Sequence, residues 1–168
     1  MADISNVKLG VCSVVFNGND LGHTKDGVTV TYEPTYHDVT VDKYGETVVD
    51  KRLLGEKLIA KVPLAEATLV NLAIAVPEGT TSGSKLTIGS SVGDSLADNA
   101  YQLVLHPIVN EASNLDDDVV FHKAIVTSPI EIAFQNDAER IIEVEFTALL
   151  DEEQTDGSYL GFIGDSTT

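Results

Sequence analysis

A chain of 168 residues with 43% hydrophobic and 22% charged residues has enough apolar content for one domain with a real core, which excludes a disordered chain. No apolar run reaches the length of a membrane-spanning helix, and the opening residues MADISNVKLG lack the basic-then-apolar layout of a secretion signal, so no membrane partner is expected. The formal net charge of −17 disfavours a free protein that grips nucleic acid through Lys and Arg.

Along the chain, residues 7–16 form an apolar, β-branched run that predicts a strand, closed by the turn signal Asn17-Gly18-Asn19-Asp20. The run holds the single cysteine, Cys12, which has no internal disulfide partner and reads as a buried structural thiol of a protein folded in a reducing cytoplasm. Residues 27–33 alternate, with Val28, Val30 and Tyr32 on one face and Thr29, Thr31 and Glu33 on the other; Pro34 weakens the ladder there. Residues 39–51 (VTVDKYGETVVDK) alternate like a hairpin turning at Lys43-Tyr44-Gly45-Glu46, yet both legs carry charges. A lone hairpin is marginal in water, so it must rest on its own body or on another chain. Residues 56–62 predict the strand that brings the chain back.

A helix is expected over 64–75 (LAEATLVNLAIA), between Pro63 and Pro77, with Leu69, Leu72, Ala73 and Val76 as its apolar stripe. Further strands are expected at 85–88, 101–109, 119–126, 130–134 and 140–150. In the last, Ile142, Val144, Phe146 and Ala148 face the core, while Glu143, Glu145 and Thr147 face outward. The whole predicts a mainly β fold over 1–168: a β-sandwich or partial barrel with one flanking α-helix and a long protruding β-hairpin arm at 37–56. No linker or repeat divides the chain.

Chemistry is sparse. Gly89-Ser-Ser-Val-Gly93 matches the G-x-S-x-G pattern of serine hydrolases, but the polar, broken sequence after it does not make the strand–turn–helix that lifts such a serine, so Ser91 is not expected to be a nucleophile. The histidines at 23, 37, 106 and 122 show no helical metal-ligand spacing; placement on neighbouring strands could bring His106 and His122 together, but separate, partly exposed histidines are expected. Asp116-Asp117-Asp118 lacks the glycine and closing glutamate of a calcium loop and reads as a solvated turn. Gly79-Thr-Thr-Ser-Gly-Ser-Lys85 lacks the Gly-Lys pair of a phosphate loop and reads as a flexible connection. No catalytic site, metal or cofactor is expected.

Charge is uneven: residues 1–61 hold 7 of the 10 basic groups against 9 acidic ones, and residues 62–168 hold 3 against 18. Two readings stay open, an acidic soluble surface and a less negative face that meets a negative face of a neighbouring copy.

Leu21-Gly22, Gly27-Val28 with the strand after it, Val41-Asp42-Lys43-Tyr44-Gly45 with Asp50 beyond, the helix after Pro63-Leu64, the late strands at 121–127 and 140–148, and the ending Gly161-Phe-Ile-Gly-Asp165 together resemble the tail tube (major tail) proteins of long, non-contractile-tailed bacteriophages. The resemblance rests on order and spacing over nearly the whole chain. It implies a structural virion protein, made in the host bacterial cytoplasm, whose copies form six-membered rings stacked into a tube through which double-stranded DNA passes without specific binding. Implied partners are further copies of the chain and the tape-measure, tail-tip and terminator proteins. It also implies that the hairpin is an arm laid on a neighbouring subunit, carried by Val39, Val41, Asp42, Lys43, Tyr44, Gly45, Glu46, Val48, Asp50, Lys51 and Arg52. Lys51, Arg52, Lys57 and Lys61 would meet acidic groups of the next copy, and Glu33, Glu143 and Glu145 are candidates for an acidic lumen wall. The role of residues 155–168 stays open. Competing readings are another tail part, such as a terminator or connector, and an acidic β-sandwich module that binds a glycan or calcium, although an aromatic content of 6% without Trp disfavours a sugar platform.

Overall fold

In a computed structural model of the chain, describing residues 8–137, 139–155 and 157–166, alternation of apolar and polar residues drives ten strands and one helix. In chain order they are β1 (Cys12–Phe16), β2 (Asn19–Asp20), β3 (Thr29–Thr40), β4 (Val48–Leu64), α1 (Leu69–Ala75), β5 (Thr80–Ser82), β6 (Lys85–Thr87), β7 (Tyr101–Pro107), β8 (Val119–Val126), β9 (Ile142–Leu149) and β10 (Gly161–Ile163). The main sheet is antiparallel, ordered β2-β1-β7-β8-β9-β4-β3, and β5 pairs with β6 apart from it. Both β9 and β10 lie along the same edge of β8: β9 pairs with residues 123–126, and β10 takes over at 119–121.

One face of this sheet is the core. Val14 and Phe16 of β1, Leu103 and Leu105 of β7, Phe121 of β8, Ala60, Val62 and Leu64 of β4, and every second residue of β9 from Ile142 to Ala148 are buried together. The rings of Phe16 and Phe146 stand 5.0 Å apart. Their strands are separated by β7 and β8, which in a flat sheet would put them roughly 14 Å apart. The sheet therefore curls until its two halves face each other across one core, a partial barrel with sandwich-like packing, and α1 covers one end. The fold is mainly β, as the pattern predicts.

Three local expectations are corrected. The helix begins at Leu69 rather than at 64, because Leu64 completes β4 opposite Ile142. Thr68 then caps α1, its side chain accepting from the Asn71 N–H at 3.2 Å. Residues 130–134 form no strand, because β7, β9 and β10 already occupy both edges of β8; Phe134 instead lies exposed beneath the Arg140 guanidinium, 4.3 Å from its ring centre. Residues 79–85 contribute to a small hairpin, β5–β6, turning at Gly83 with a φ of 59°. Pro34 lies within β3, the last strand of the sheet, where a missing N–H is tolerated, and a bulge follows at 35/36. The start of the strand expected over 7–16 lies partly outside the described residues, at Val7, as do positions 156, 167 and 168 of the C-terminal segment. Residues 161–163 of that segment form a sheet strand.

Candidate assembly surface

β4 is 17 residues long, but β9 accompanies it only from Ile59 to Leu64. From Leu58 back to Val48 its sole partner is β3, up to the pair Thr40–Val48. The hairpin is thus longer than the 37–56 expected from sequence, with both legs paired from about residue 32 on one side and 58 on the other. A short 3₁₀ turn, Asp42–Tyr44, closes it, and Gly45 follows with a φ of 62°, the left-handed geometry that this position requires. Residues 40–57 are all exposed, and Val39 is half-buried. Among the described residues nothing of the body covers these two strands, so the hairpin does not gain its missing burial from its own chain.

Its surface mixes self-satisfied charge with bare apolar groups. Lys51 Nζ meets Asp38 Oδ1 at 2.6 Å, Arg52 Nε stands 3.7 Å from Asp50 Oδ2, and Lys61 Nζ is 3.5 Å from Glu145 Oε2. Of the four cations expected to reach a neighbouring copy, three thus have a partner at home; among the described residues Lys57 has none. At the hairpin base the Tyr32 hydroxyl donates to Glu56, which pushes its pKa up to about 12. Two bulges leave Leu54 and Val49 of β4 without a partner residue on β3, and these two are 68% and 46% exposed. The sequence carried the signal in its doublets Val48-Val49 and Leu53-Leu54, which break strict alternation.

Glu33, Glu143 and Glu145 do share the outward face of the sheet, since Glu145 is opposite Lys61 and Glu33 opposite Lys57 in register. The same face therefore carries lysines between the glutamates. His106 and His122 do not meet. His106 Nδ1 bonds Asp118 Oδ1 at 2.6 Å, and His122 Nε2 is 3.4 Å from Ser158 Oγ. Asp118 is buried, not part of a solvated turn, while Asp117 is held by Lys8 and Asn110, which lower its pKa. The Asp117 and Asp118 carboxylates point to different partners, and among the described residues no cluster could hold a metal. Ser91 lies in an exposed turn tied to Asp94, whose Oδ2 accepts from the Ser91 N–H at 3.1 Å and from Ser90 Oγ at 2.8 Å. Cys12 is half-buried, and burial raises its pKa.

No family model matches this chain, and no curated protein does either. A groove of about 450 Å³ lies between α1 and the ends of β1 and β7, lined by Phe16, Leu69, Val70, Ala73, Ile74 and Tyr101 among others. Sequence reasoning missed it, because Val70 lies off the helix stripe; it is 59% exposed.

Proposed function

We propose that this chain is the tail tube protein of a long, non-contractile-tailed bacteriophage, a structural subunit whose copies assemble into stacked six-membered rings around a channel for DNA. The observation that carries this reading is the bare β3–β4 hairpin. Two charged strands with exposed Tyr36, Tyr44, Leu53 and Leu54 bury almost nothing on their own body. An isolated hairpin of this kind gains its stability from a partner surface. The sheet also ends in β2 and β3 without closing, and open edges of this sort serve edge-to-edge assembly between copies. The test is electron microscopy of the purified protein over a range of concentrations, alone and with tail-tip complexes, beside a chain whose residues 39–51 are replaced by a Gly-Ser turn. The expected result is hollow tubes or six-fold rings from the parent and none from the shortened chain. A parent that stays monomeric under every condition, tail-tip complexes included, would overturn the proposal.

A further inference from the structure

We infer that the base of the β3–β4 hairpin is one half of a latch: residues 54–56 of β4 close onto β10 of the same chain, and the latch stands open in this structure. The register fixes where the two halves meet. β9 and β10 both run antiparallel to β8 along one edge, so β10 continues the course of β9 after an excursion, which the Asp151 N–H closes by donating to the Tyr159 carbonyl at 3.0 Å. Phe121 and Ala124 of β8 are both buried in the core although three residues apart, and they pair with Leu103 and Tyr101 of β7, which are two apart. β8 thus carries one extra residue between them, and Gly161, opposite Phe121, stands two places beyond Ala148, opposite Ala124. On the other side of that course, β4 has Ile59 opposite Thr147. Continued straight, β4 sets Leu58 opposite Ala148, Glu56 opposite Gly161, Gly55 opposite Phe162 and Leu54 opposite Ile163. It turns away instead. Among the described residues β10 pairs with β8 alone, and a cleft of about 330 Å³ separates Tyr32, Glu56 and Leu58 from residues 160–163.

The two sides of the cleft complement each other. Leu54 and Ile163 are 68% and 75% exposed in the open position, and closure makes them cross-strand neighbours on one face, apolar against apolar. Gly161 has no side chain to disturb the Tyr32–Glu56 hydrogen bond opposite it, and Gly55 leaves room for the Phe162 ring. Closure also pairs two backbone edges that face each other across the cleft. The bend sits where the hairpin ladder is weakest. Pro34, opposite Glu56, supplies no N–H, and the bulge at 35/36 leaves Leu54 without a partner residue on β3. Pro34, Gly55 and the bulge thus lie at one level of the hairpin, the level of the cleft. Open and closed are two states of one chain, and a surface that binds the open base draws the balance toward it. The outer hairpin follows its base, so closure changes where the tip points while residues 39–51 stay bare. The role assigned to the latch, holding a free subunit out of assembly, rests on the tube reading; the closed position itself does not.

The test is cysteine trapping within one chain, on a Cys12→Ala background in dilute protein. Residues directly opposite in an antiparallel pair bring their Cβ atoms within reach of a disulfide. Leu54→Cys combined with Ile163→Cys should therefore give, on mild oxidation, a monomer that migrates ahead of its reduced form. Val48→Cys combined with Ile163→Cys should not, because Val48 lies six residues further out along β4. Hydrogen exchange on the unsubstituted monomer supplies a second measurement: the amides of 54–56 and 161–163 should share one protection level, lost together in Leu54→Asp. A Leu54→Cys/Ile163→Cys pair that stays reduced while both thiols react with a labelling reagent would overturn the latch. Microscopy then separates the latch from the tube reading. Oxidised protein should form no tubes, and tubes should return on reduction. Tubes from the oxidised, cross-linked protein would leave the closed position standing and overturn its role as a brake. A cross-link with no tubes from reduced or unsubstituted protein, tail-tip complexes included, would uphold the latch and sink the tube reading.

Discussion

At Leu21-Gly22 several elements are tied by single hydrogen bonds. Leu21 is buried, and its carbonyl accepts from Asn71 Nδ2 at 2.9 Å, while the Gly22 N–H donates to Asp20 Oδ1 at 2.9 Å. Glu66 Oε1 accepts the His23 N–H at 2.9 Å, and its carboxylate lies where a Cβ on residue 22 would go. Gly22 has a φ of 80°. Gly22→Ala therefore adds steric displacement of Glu66 to backbone strain, for an expected loss of about 2–4 kcal/mol. Gly27 has a similar φ of 85° but open space around it, so Gly27→Ala should cost only the strain, about 1–2 kcal/mol. Urea titration of both variants checks the order, and equal losses would show that Glu66 yields freely. A second residue-scale lock holds the C-terminal segment: Asp151, buried, meets Lys123 Nζ at 2.6 Å and Gln154 Nε2 at 2.9 Å. Lys123 and Gln154 lower the Asp151 pKa, and Asp151 raises that of Lys123. A depressed carboxyl pKa contributes stability above its unfolded value near 4 and loses it as pH falls through the folded value; a raised Lys pKa contributes below its unfolded value near 10.4 and loses it as pH rises through the folded one. The lock is thus complete from about pH 4 to about pH 10. Asp151→Asn should melt below the parent at pH 7, and the gap should close as pH falls below about 4. A gap of constant size across that range would mean that the carboxylate charge plays no part.

Among the elements, legibility followed how local the cause was. β9 could be read from its sequence, because strict alternation put Ile142, Val144, Phe146 and Ala148 on the buried face and left Glu143 exposed. The turn at Gly45 was equally local. What sequence could not give depended on neighbours. Residues 130–134 alternate well enough for a strand, but β8, the strand they follow, has no free edge to offer them. Pro63 looks like a helix opener, yet pairing with Glu143 keeps it in β4. The extent of the bare hairpin depends on where the pairing of β4 with β9 ends, at Thr147 opposite Ile59, which no residue within 37–56 announces. The candidate site splits the same way. The hairpin tip was visible as charged alternation, but the groove joins α1, β1 and β7 and exists only once the sheet has curled. One prediction belongs to this scale. Because the hairpin beyond Leu58 covers none of the core, the chain with residues 39–51 replaced loses only cross-strand pairs of about 0.2–1 kcal/mol each, mostly between exposed groups. Its Tm should stay within a few degrees of the monomeric parent's, at about 2–4 °C per kcal/mol. Melting curves of the two monomers at low concentration measure this, and a collapse of the shortened chain would place the hairpin's role in folding rather than in assembly.

For the whole molecule, charge would set the terms on which copies and DNA meet in the proposed tube. If the outward face of β3, β4 and β9 lines the proposed channel, Glu33, Glu143 and Glu145 repel phosphate while Lys57 and Lys61 offset part of that repulsion. The ion pair of Lys61 with Glu145 takes one of those cations out of easy reach of a passing strand. Phosphates would feel what remains only within about 8 Å at physiological salt. Such a wall is weakly repulsive, which suits a conduit that must neither hold nor strongly exclude DNA. Converting all three glutamates to Lys leaves five ammonium groups on that face and no carboxylate among these five positions. Duplex DNA, with about one negative charge per 1.7 Å, would then bind the wall and release counterions. The expected outcome is tubes of ordinary appearance, because exposed charges on this face contribute at most about 1 kcal/mol per pair to the fold. DNA delivery through them should fall steeply and recover in part as salt is raised, since counterion release weakens with ionic strength. Assembly of the triple variant into phage, followed by release assays at two salt concentrations, separates the possibilities. Delivery equal to the parent at both would move the channel wall to another face of the sheet, whereas loss of the tubes themselves would place these glutamates in contacts between copies.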